Sequence, residues 1–161
     1  MEKVPMTTYG YKKLEQELQY RINELRPQII KDIAEARAHG DLSENAEYHA
    51  AKEQQGLNEA HIKDLQAKIS LAEVVDPAKL SGKKVMLGAT VEVVDVDTDK
   101  EITYILVGPE EADIDKGLIS IMSPLGHAMI GKQEEEEFVL HAPSGDKNYE
   151  ILSVKFQEIN V

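Results

Sequence analysis

The first half of the chain carries apolar residues at the spacing of an α-helix. Good helix formers dominate residues 8–75, and apolar positions recur there every three or four residues. The first stripe consists of Leu14, Leu18, Ile22, Leu25, Ile29, Ile33 and Ala36. Pro27 lies inside it, but the stripe keeps its phase across the proline. We therefore predict a helix that is kinked at Pro27 rather than one that ends there.

A second apolar stripe begins just after a break at residues 39–44. Gly40 suits the left-handed end of a helix, and Asp41 or Ser43 can cap the helix that follows. The second stripe consists of Ala46, Ala50, Leu57, Ile62, Leu65, Ile69 and Ala72. Two helices of about 30 residues joined this tightly must run antiparallel, with arms about 45 Å long at 1.5 Å per residue. Small alanines near the break predict a slender tip.

From residue 80 onward the pattern is typical of short strands and turns, because Val, Ile and Thr increase while Gly and Pro recur. Strands are predicted over residues 85–94, 101–107, 118–122, 137–141 and 149–157, with a hairpin connection at 95–100 and a short helical turn at 128–131. The sequence thus predicts two domains. A long antiparallel helical hairpin, or coiled coil, covers residues 1–76, and an α+β domain with a mostly antiparallel sheet covers residues 77–161.

Composition narrows the class of protein. The chain has no Cys, which excludes a disulfide framework and a thiolate metal site and fits a reducing cytoplasm. No apolar run approaches the length of a signal peptide or a membrane span, so we expect a soluble, cytoplasmic protein with no membrane partner. The net charge of −12 disfavours sequence-specific binding to free duplex DNA. An acidic protein that works on nucleic acid is better explained by docking on another protein.

Two acidic residues at the predicted tip are the strongest candidates for chemistry. The spacing of Asp41 and Glu44 places both carboxylates on the same side of one helical turn. Two carboxylates are too few to hold Mg²⁺ tightly, so the pair makes chemical sense if it completes a metal site on another molecule. The same Asp-x-x-Glu pattern also forms a capping box and suits the positive end of a helix dipole. The pattern alone does not separate a helix cap from a catalytic tip.

Two longer motifs resemble the bacterial Gre family of transcript cleavage factors. Residues 34–56 read AEARAHGDLSENAEYHAAKEQQG and are similar to the family's tip signature. Residues 119–132 read ISIMSPLGHAMIGK and are similar to the motif of its C-terminal, FKBP-like domain. The resemblance covers nearly the whole chain. It implies a transcription elongation factor that binds backtracked bacterial RNA polymerase through its secondary channel, where the RNA 3′ end is extruded, and stimulates the polymerase's own cleavage of that RNA.

The resemblance also implies roles for individual residues. Asp41 and Glu44 match the tip acids that help to hold the second Mg²⁺ of the polymerase, so no tightly bound cofactor is expected and the chain is an accessory factor rather than an enzyme. Arg37 and Lys52 match a small basic patch toward the extruded RNA, which favours the GreA-like form with short released fragments. Asn45 and Tyr48 lie within the same tip region. Residues 123–126 (Ser123, Pro124, Leu125 and Gly126) match the segment that docks on the polymerase, and a monomer is expected.

Each of these roles has a plainer alternative. Arg37 and Lys52 can be solvated charges or form weak surface pairs, worth under about 1 kcal/mol. Tyr48 can be a half-packed helix residue rather than a stacking platform, and Asn45 can cap a helix. Pro and Gly in residues 123–126 shape a turn, and an FKBP-like fold does not imply isomerase activity. At the level of function, the alternative is a secondary-channel regulator that binds RNA polymerase without cleavage activity.

Overall fold

A computed structural model describes residues 2–41 and 45–161 of the chain. The chain divides into two compact units. One comprises residues 12–71, and the other comprises residues 2–11 together with 72–161. The helices are α1 (Thr8–Tyr20), α2 (Arg26–Arg37), α3 (Ala46–Leu71) and α4 (Pro124–Met129), and the strands are β1 (Val4–Thr7), β2 (Ala72–Val75), β3 (Ala89–Asp95), β4 (Glu101–Val107), β5 (Leu118–Ser120), β6 (Glu137–Ala142) and β7 (Gly145–Phe156). No helix within the described ranges is long and apolar enough to cross a membrane. The predicted domain bounds at 1–76 and 77–161 stay a prediction.

The helical unit is the antiparallel hairpin that the apolar stripes predict, but the second stripe is wrong at Ala46, Ala50 and Leu57, which are exposed. Its buried positions on α2 are Ile29, Ile33 and Ala36, and those on α3 include Ile62 and Leu65. The 26-residue α3 is roughly 40 Å long at 1.5 Å per residue. Cross-arm contacts establish the direction of the arms: Arg26 pairs with Glu59 near the middle, and Ala36 contacts Asn45 at the tip.

The first arm continues through Pro27 by widening one turn. Residues Arg21–Leu25 form a π-helical turn between α1 and α2, and the N–H of Arg26 donates to the carbonyl of Arg21, five residues back. Proline lacks an N–H and its ring clashes with the carbonyl four residues earlier, so a wider turn accommodates it without ending the helix. The prediction that the helix continues across Pro27 is confirmed. The irregularity that accompanies the proline is the π-helical turn at Arg21–Leu25.

Two residues of α3 meet the first arm at the level of the π turn. Asn58 is only 3% exposed, and its amide accepts from Arg21 Nη1 at 3.1 Å and donates to the Arg21 carbonyl at 3.2 Å. The neighbouring Glu59 receives two hydrogen bonds from the Arg26 guanidinium, at 2.8 and 2.9 Å. The hydrogen bond from Arg26 is the main cause that lowers the pKa of the Glu59 carboxyl.

The prediction that helix continues to residue 75 is wrong for the last four residues of the second arm. α3 ends at Leu71, and Ala72–Val75 form β2, which pairs in parallel with β1 from Val4↔Ala72 to Thr7↔Val75. Ala72 therefore does not extend the apolar stripe of the helix. Val74 and Val75 are β-branched residues that fit a strand, and a partner strand near the start of the chain provides its hydrogen bonds.

The second unit is the predicted α+β domain, built on a five-stranded sheet. The strand order is β5-β4-β3-β7-β6, and all neighbours are antiparallel except β4 and β5, which run parallel. The strand predicted at 101–107 and the hairpin connection at 95–100 are confirmed. Four expectations shift. The first strand starts at Ala89 rather than residue 85, and the last begins at Gly145 rather than 149. The strand predicted at 118–122 ends at Ser120, and the short helix covers 124–129 rather than 128–131.

The buried residues of this unit form two clusters, a large one described below and a smaller one of Val107, Leu118 and Ile159. In the large cluster, side chains of β3, β6 and β7 pack together, and Met129 of α4 is fully buried against them. Phe138 and Tyr149 stack with their ring centroids 5.2 Å apart. The large cluster is made up of Val85, Ala89, Val91, Val93, Leu106, Ile119, Met129, Phe138, Tyr149, Ile151 and Val154.

Candidate functional site at the hairpin tip

The tip of the hairpin is the end at which α2 stops and α3 starts. α2 closes with a tight turn, in which the N–H groups of Ala38 and His39 donate to the carbonyls of Glu35 and Ala36, each at 3.1 Å. Gly40 follows with φ at +138°, a conformation that side-chain-bearing residues rarely adopt. The predicted need for glycine at this turn is therefore confirmed.

The first candidate acid lies directly after this glycine. Asp41 is exposed, in a segment that belongs to neither helix. Glu44, the second acid of the predicted pair, lies outside the described residues, as does Ser43. The structure thus places one of the two predicted carboxylates at the tip, on the solvent side of the turn that ends α2.

The residue that caps α3 is Asn45, whereas the sequence offered Asp41 or Ser43, of which Ser43 lies outside the described residues. The Oδ1 atom of Asn45 accepts from the N–H of Tyr48 at 3.1 Å, and α3 begins at Ala46. Asparagine is among the best N-cap residues because its short side chain reaches an N–H group that lacks a helical partner. The alternative that Asn45 caps the helix is confirmed.

Asn45 also connects the two arms. Its Nδ2 atom donates to the Ala36 carbonyl at 2.5 Å, so one amide binds the end of α2 and the start of α3. Ala36 is 3% exposed and is the last buried residue of the first arm. The half-buried amide therefore faces the hairpin itself.

Two further contacts cross the hairpin near the tip. His39 Nδ1 lies 3.3 Å from Glu47 Oε2, and the Arg37 guanidinium lies 5.8 Å from the centroid of the Tyr48 ring. An arginine over an aromatic face contributes about 0.5–1 kcal/mol at an exposed site. Tyr48 is thus half-buried under Arg37 rather than fully exposed.

Arg37, Tyr48 and Lys52 share one side of the tip. Arg37 contacts Tyr48, and Lys52 follows Tyr48 by four residues, which places both on the same side of α3. Lys52 is exposed, and its ammonium donates to Gln55 Oε1 at 3.0 Å within the same helix. The two cations and the ring between them present positive charge and an aromatic edge to solvent.

Asp41 is the candidate metal ligand that the structure describes. Across the described ranges, no group of three or more His, Cys, Asp or Glu side chains is placed to hold a metal ion. Asp41 presents carboxylate oxygens, the type of ligand that Mg²⁺ prefers, and Mg²⁺ sites commonly use one or two carboxylates together with water and phosphate.

The segment 123–126 begins α4 in the second unit. Ser123 caps the helix by accepting from the N–H of Gly126 at 3.0 Å, and its hydroxyl donates to the Ser120 carbonyl at 2.7 Å. Gly126 is buried, and a Cβ there would collide with the Ser120 carbonyl. Pro124 is exposed and Leu125 is half-buried, beside Met122, whose side chain is 64% exposed. Two of the four residues thus have structural roles, and an apolar surface adjoins them.

Sequence reasoning missed the bridging role of Asn45 and the contact between His39 and Glu47. The preference of asparagine for N-cap positions is a signal that could have located the start of α3. The contact of Asn45 with Ala36 has no such signal, because it depends on how two helices meet.

The comparisons with known proteins cover both parts of the chain. A family model described as "Transcription elongation factor, N-terminal" matches residues 4–74, and one described as "Transcription elongation factor, GreA/GreB, C-term" matches residues 80–156. Transcription elongation factor GreA of Brucella anthropi is 54% identical over 156 residues, which are 97% of this chain and 99% of that protein. The same factor of Brucella canis is 53% identical with the same coverage. Among solved structures, GreA factor homolog 1 of Thermus thermophilus is 27% identical, covers 95% of this chain and 99% of its own, and gives a TM-score of 0.43.

Proposed function

This chain belongs to the GreA/GreB family of transcription elongation factors, which stimulate transcript cleavage by RNA polymerase, and from that premise we propose how its residues do so. Residues 1–76 enter the secondary channel of a backtracked polymerase, tip first. Residues 77–161 dock at the entrance of the channel. The factor acts as a monomer in the bacterial cytoplasm and needs no tightly bound cofactor of its own.

The observation that carries this proposal is the position of Asp41. Asp41 is exposed at the tip, and Asn45 caps the helix that follows. We assign Asp41 and Glu44 to the second Mg²⁺ of the polymerase active site. A metal ion held there supplies charge stabilisation and activates water for phosphodiester hydrolysis. The two acids contribute oxygen ligands and orient the attacking water, while the polymerase provides the remaining ligands.

The side of the tip that carries Arg37, Tyr48 and Lys52 faces the extruded RNA in this proposal. Arg37 and Lys52 attract the phosphate backbone, and Tyr48 can contact a base. Only two cations contribute, so the attraction is modest and the released fragments are short, as expected of the GreA-like form.

The segment around α4 is the part that docks on the polymerase. Pro124 and Leu125 lie beside the exposed side chain of Met122, and Ser123 and Gly126 hold the turn in shape. Apolar side chains on a rigid turn suit a protein interface, since little conformational entropy is lost on binding.

Transcript cleavage on stalled elongation complexes tests the function directly. Wild-type protein added to backtracked complexes with labelled RNA is expected to release short 3′ fragments and to restore elongation. The alternative, a channel-binding regulator without cleavage activity, predicts slower nucleotide addition and no fragment release. An Arg37→Ala, Lys52→Ala double variant is expected to stimulate cleavage less, with a weaker dependence on salt, because two phosphate contacts are removed.

A further inference from the structure

Positive charge in the second unit is concentrated in two stretches that lack acidic residues. Residues 79–161 carry sixteen Asp and Glu against eight Lys and no Arg, which gives a net charge of −8. The two longest stretches of the whole chain without Asp or Glu are residues 77–91 and 116–133. Five of the eight lysines lie within these stretches: Lys79, Lys83, Lys84, Lys116 and Lys132.

Backbone hydrogen bonds join the two acid-free stretches. The N–H of Val85 donates to the carbonyl of Lys132, and the N–H of Gly131 donates to the carbonyl of Val85, both at 2.8 Å. Val85 is 1% exposed and belongs to the large buried cluster, so the junction is anchored in the core. The exposed residues that flank the junction therefore lie on one part of the surface, in a fixed arrangement.

Two lysines and two apolar side chains are exposed beside this junction. Lys83, Lys84 and Met86 are exposed on either side of the buried Val85. Met86 is 49% exposed, and Ile130, which adjoins the junction from the other stretch, is 39% exposed. Within residues 2–41 and 45–161, no ion pair involves the ammonium group of Lys83 or Lys84. We call Lys83, Lys84, Met86 and Ile130 the basic-apolar surface.

We infer that the basic-apolar surface docks on an acidic segment of RNA polymerase that also presents apolar side chains. The inference deepens the proposed function and rests on it, since it extends the proposed docking segment 123–126 along the same acid-free stretch to Ile130 and across the junction to Lys83. The unpaired ammonium groups favour a partner that carries carboxylates. The rest of the unit, which is acidic, repels such a partner and so restricts docking to this side.

The apolar side chains favour a protein partner over a nucleic acid. Methionine is enriched at protein interfaces, and exposed Met86 and Ile130 gain by burial against apolar groups. A nucleic-acid site on this scale would combine several phosphate contacts with aromatic side chains on which bases stack. Residues 83–86 and 130–132 contain no aromatic residue.

Charge reversal at the two lysines tests the inference. A Lys83→Glu, Lys84→Glu variant is expected to bind core RNA polymerase at least about tenfold more weakly than wild type at low salt, because two attractive contacts become repulsive. The difference should narrow as salt rises, since exposed charges are screened. The matched control is Lys100→Glu, Lys147→Glu, which changes the net charge equally at exposed lysines that adjoin acidic residues. Its Kd should stay within about twofold of wild type. Competition with labelled wild-type factor measures both.

A second variant tests the apolar part of the surface. Met86→Gln removes apolar contact without changing charge, so Kd is expected to rise severalfold with the salt dependence of wild type. Because Met86 is half exposed, the variant should unfold at nearly the wild-type temperature, and thermal unfolding of all the variants confirms that they are folded.

Each outcome decides for or against the surface. Equal Kd values for the Lys83, Lys84 variant and its control would overturn the inference, as would wild-type affinity of Met86→Gln. Labelled single-stranded RNA and duplex DNA without polymerase are further probes, and wild-type binding that the Lys83, Lys84 variant loses would also overturn it, because nucleic acid would then be the partner. If wild-type protein binds polymerase but stimulates no cleavage, the proposed function fails, while the comparison of Kd values still decides on the surface.

Discussion

Asn58 and Arg21 join the two arms of the hairpin through both ends of one buried amide. The Asn58 side chain accepts from the Arg21 guanidinium and donates to the Arg21 carbonyl, which is also the acceptor of the π turn. A polar residue in an apolar seam fixes the register of two helices, because sliding would leave it buried without partners. This pair therefore fixes the axial position of one arm relative to the other.

Removing this amide is expected to destabilise the hairpin. Asn58→Ala leaves the Arg21 carbonyl and guanidinium each without one bond, so the free energy of unfolding should fall by about 1–3 kcal/mol. Asn23→Ala is the matched control, since Asn23 is exposed and bonds only along its own helix to Gln19. That change should cost at most about 0.5 kcal/mol. Urea denaturation followed by circular dichroism measures both, and equal effects would contradict the account.

Glu111 is expected to stabilise the second unit, which comprises residues 2–11 and 72–161. Its carboxylate accepts from the N–H groups of Thr7, Gly10 and Gly108 at 2.7–3.0 Å and from the Thr7 hydroxyl. Glu111→Gln replaces one acceptor oxygen by an NH₂ group that faces N–H donors, which should cost about 1–3 kcal/mol. The exposed Glu92→Gln change should stay within about 0.5 kcal/mol. Thermal unfolding of the two variants side by side tests this, and a neutral Glu111→Gln change would count against it.

Two glycine substitutions should act in opposite directions. Gly126→Ala would place a Cβ against the Ser120 carbonyl, a backbone atom that cannot move aside, so a loss of at least about 2 kcal/mol is expected. Gly56→Ala, in the exposed middle of α3 with no atom within 4 Å of the added Cβ, should gain about 0.5–1 kcal/mol. Midpoints of urea unfolding give both signs. A tolerated Gly126→Ala variant would mean that the turn before α4 is looser than the structure indicates.

Alkaline pH should weaken the second unit through Tyr149. Burial, with a smaller contribution from Asp95, raises the pKa of the Tyr149 hydroxyl above its ordinary value of about 10. The unfolded chain therefore releases this proton at lower pH than the folded one. Stability from this group is complete below about pH 10 and is lost as pH rises from there through the folded pKa. Tyr149→Phe should show a smaller decrease in the free energy of unfolding between about pH 9 and 11. An identical pH dependence in both proteins would contradict the assignment.

The local part of this fold was predictable, and the long-range part was not. The apolar spacing of residues 14–36 predicts the first arm, and the alternation in residues 101–107 predicts β4 at its observed bounds. The sequence predicts helix where β2 lies, because the partner strand β1 is 68 residues earlier, as in Val4↔Ala72. Periodicity within a window carries no information about such a pairing. The π turn and the Asn58 contact escaped prediction for the same reason.

The candidate site, like the fold, could be predicted from the sequence only in part. Asp41 and Glu44 could be singled out from spacing and family resemblance, but the pattern alone did not decide between cap and catalysis. The structure assigns the cap to Asn45, through a side chain whose second hydrogen bond crosses to Ala36. That bond depends on the approach of two helices, which no local pattern encodes.

The most direct test of the central claim is the rate of RNA cleavage in backtracked complexes with an Asp41→Asn, Glu44→Gln variant. Both changes preserve size and remove charge, so the helices and the affinity for polymerase should stay as in wild type. The account predicts a fall in stimulated cleavage of roughly 10²-fold or more, because ligands that stabilise developing charge are removed. Full cleavage by this variant, at equal occupancy of the polymerase, would contradict it.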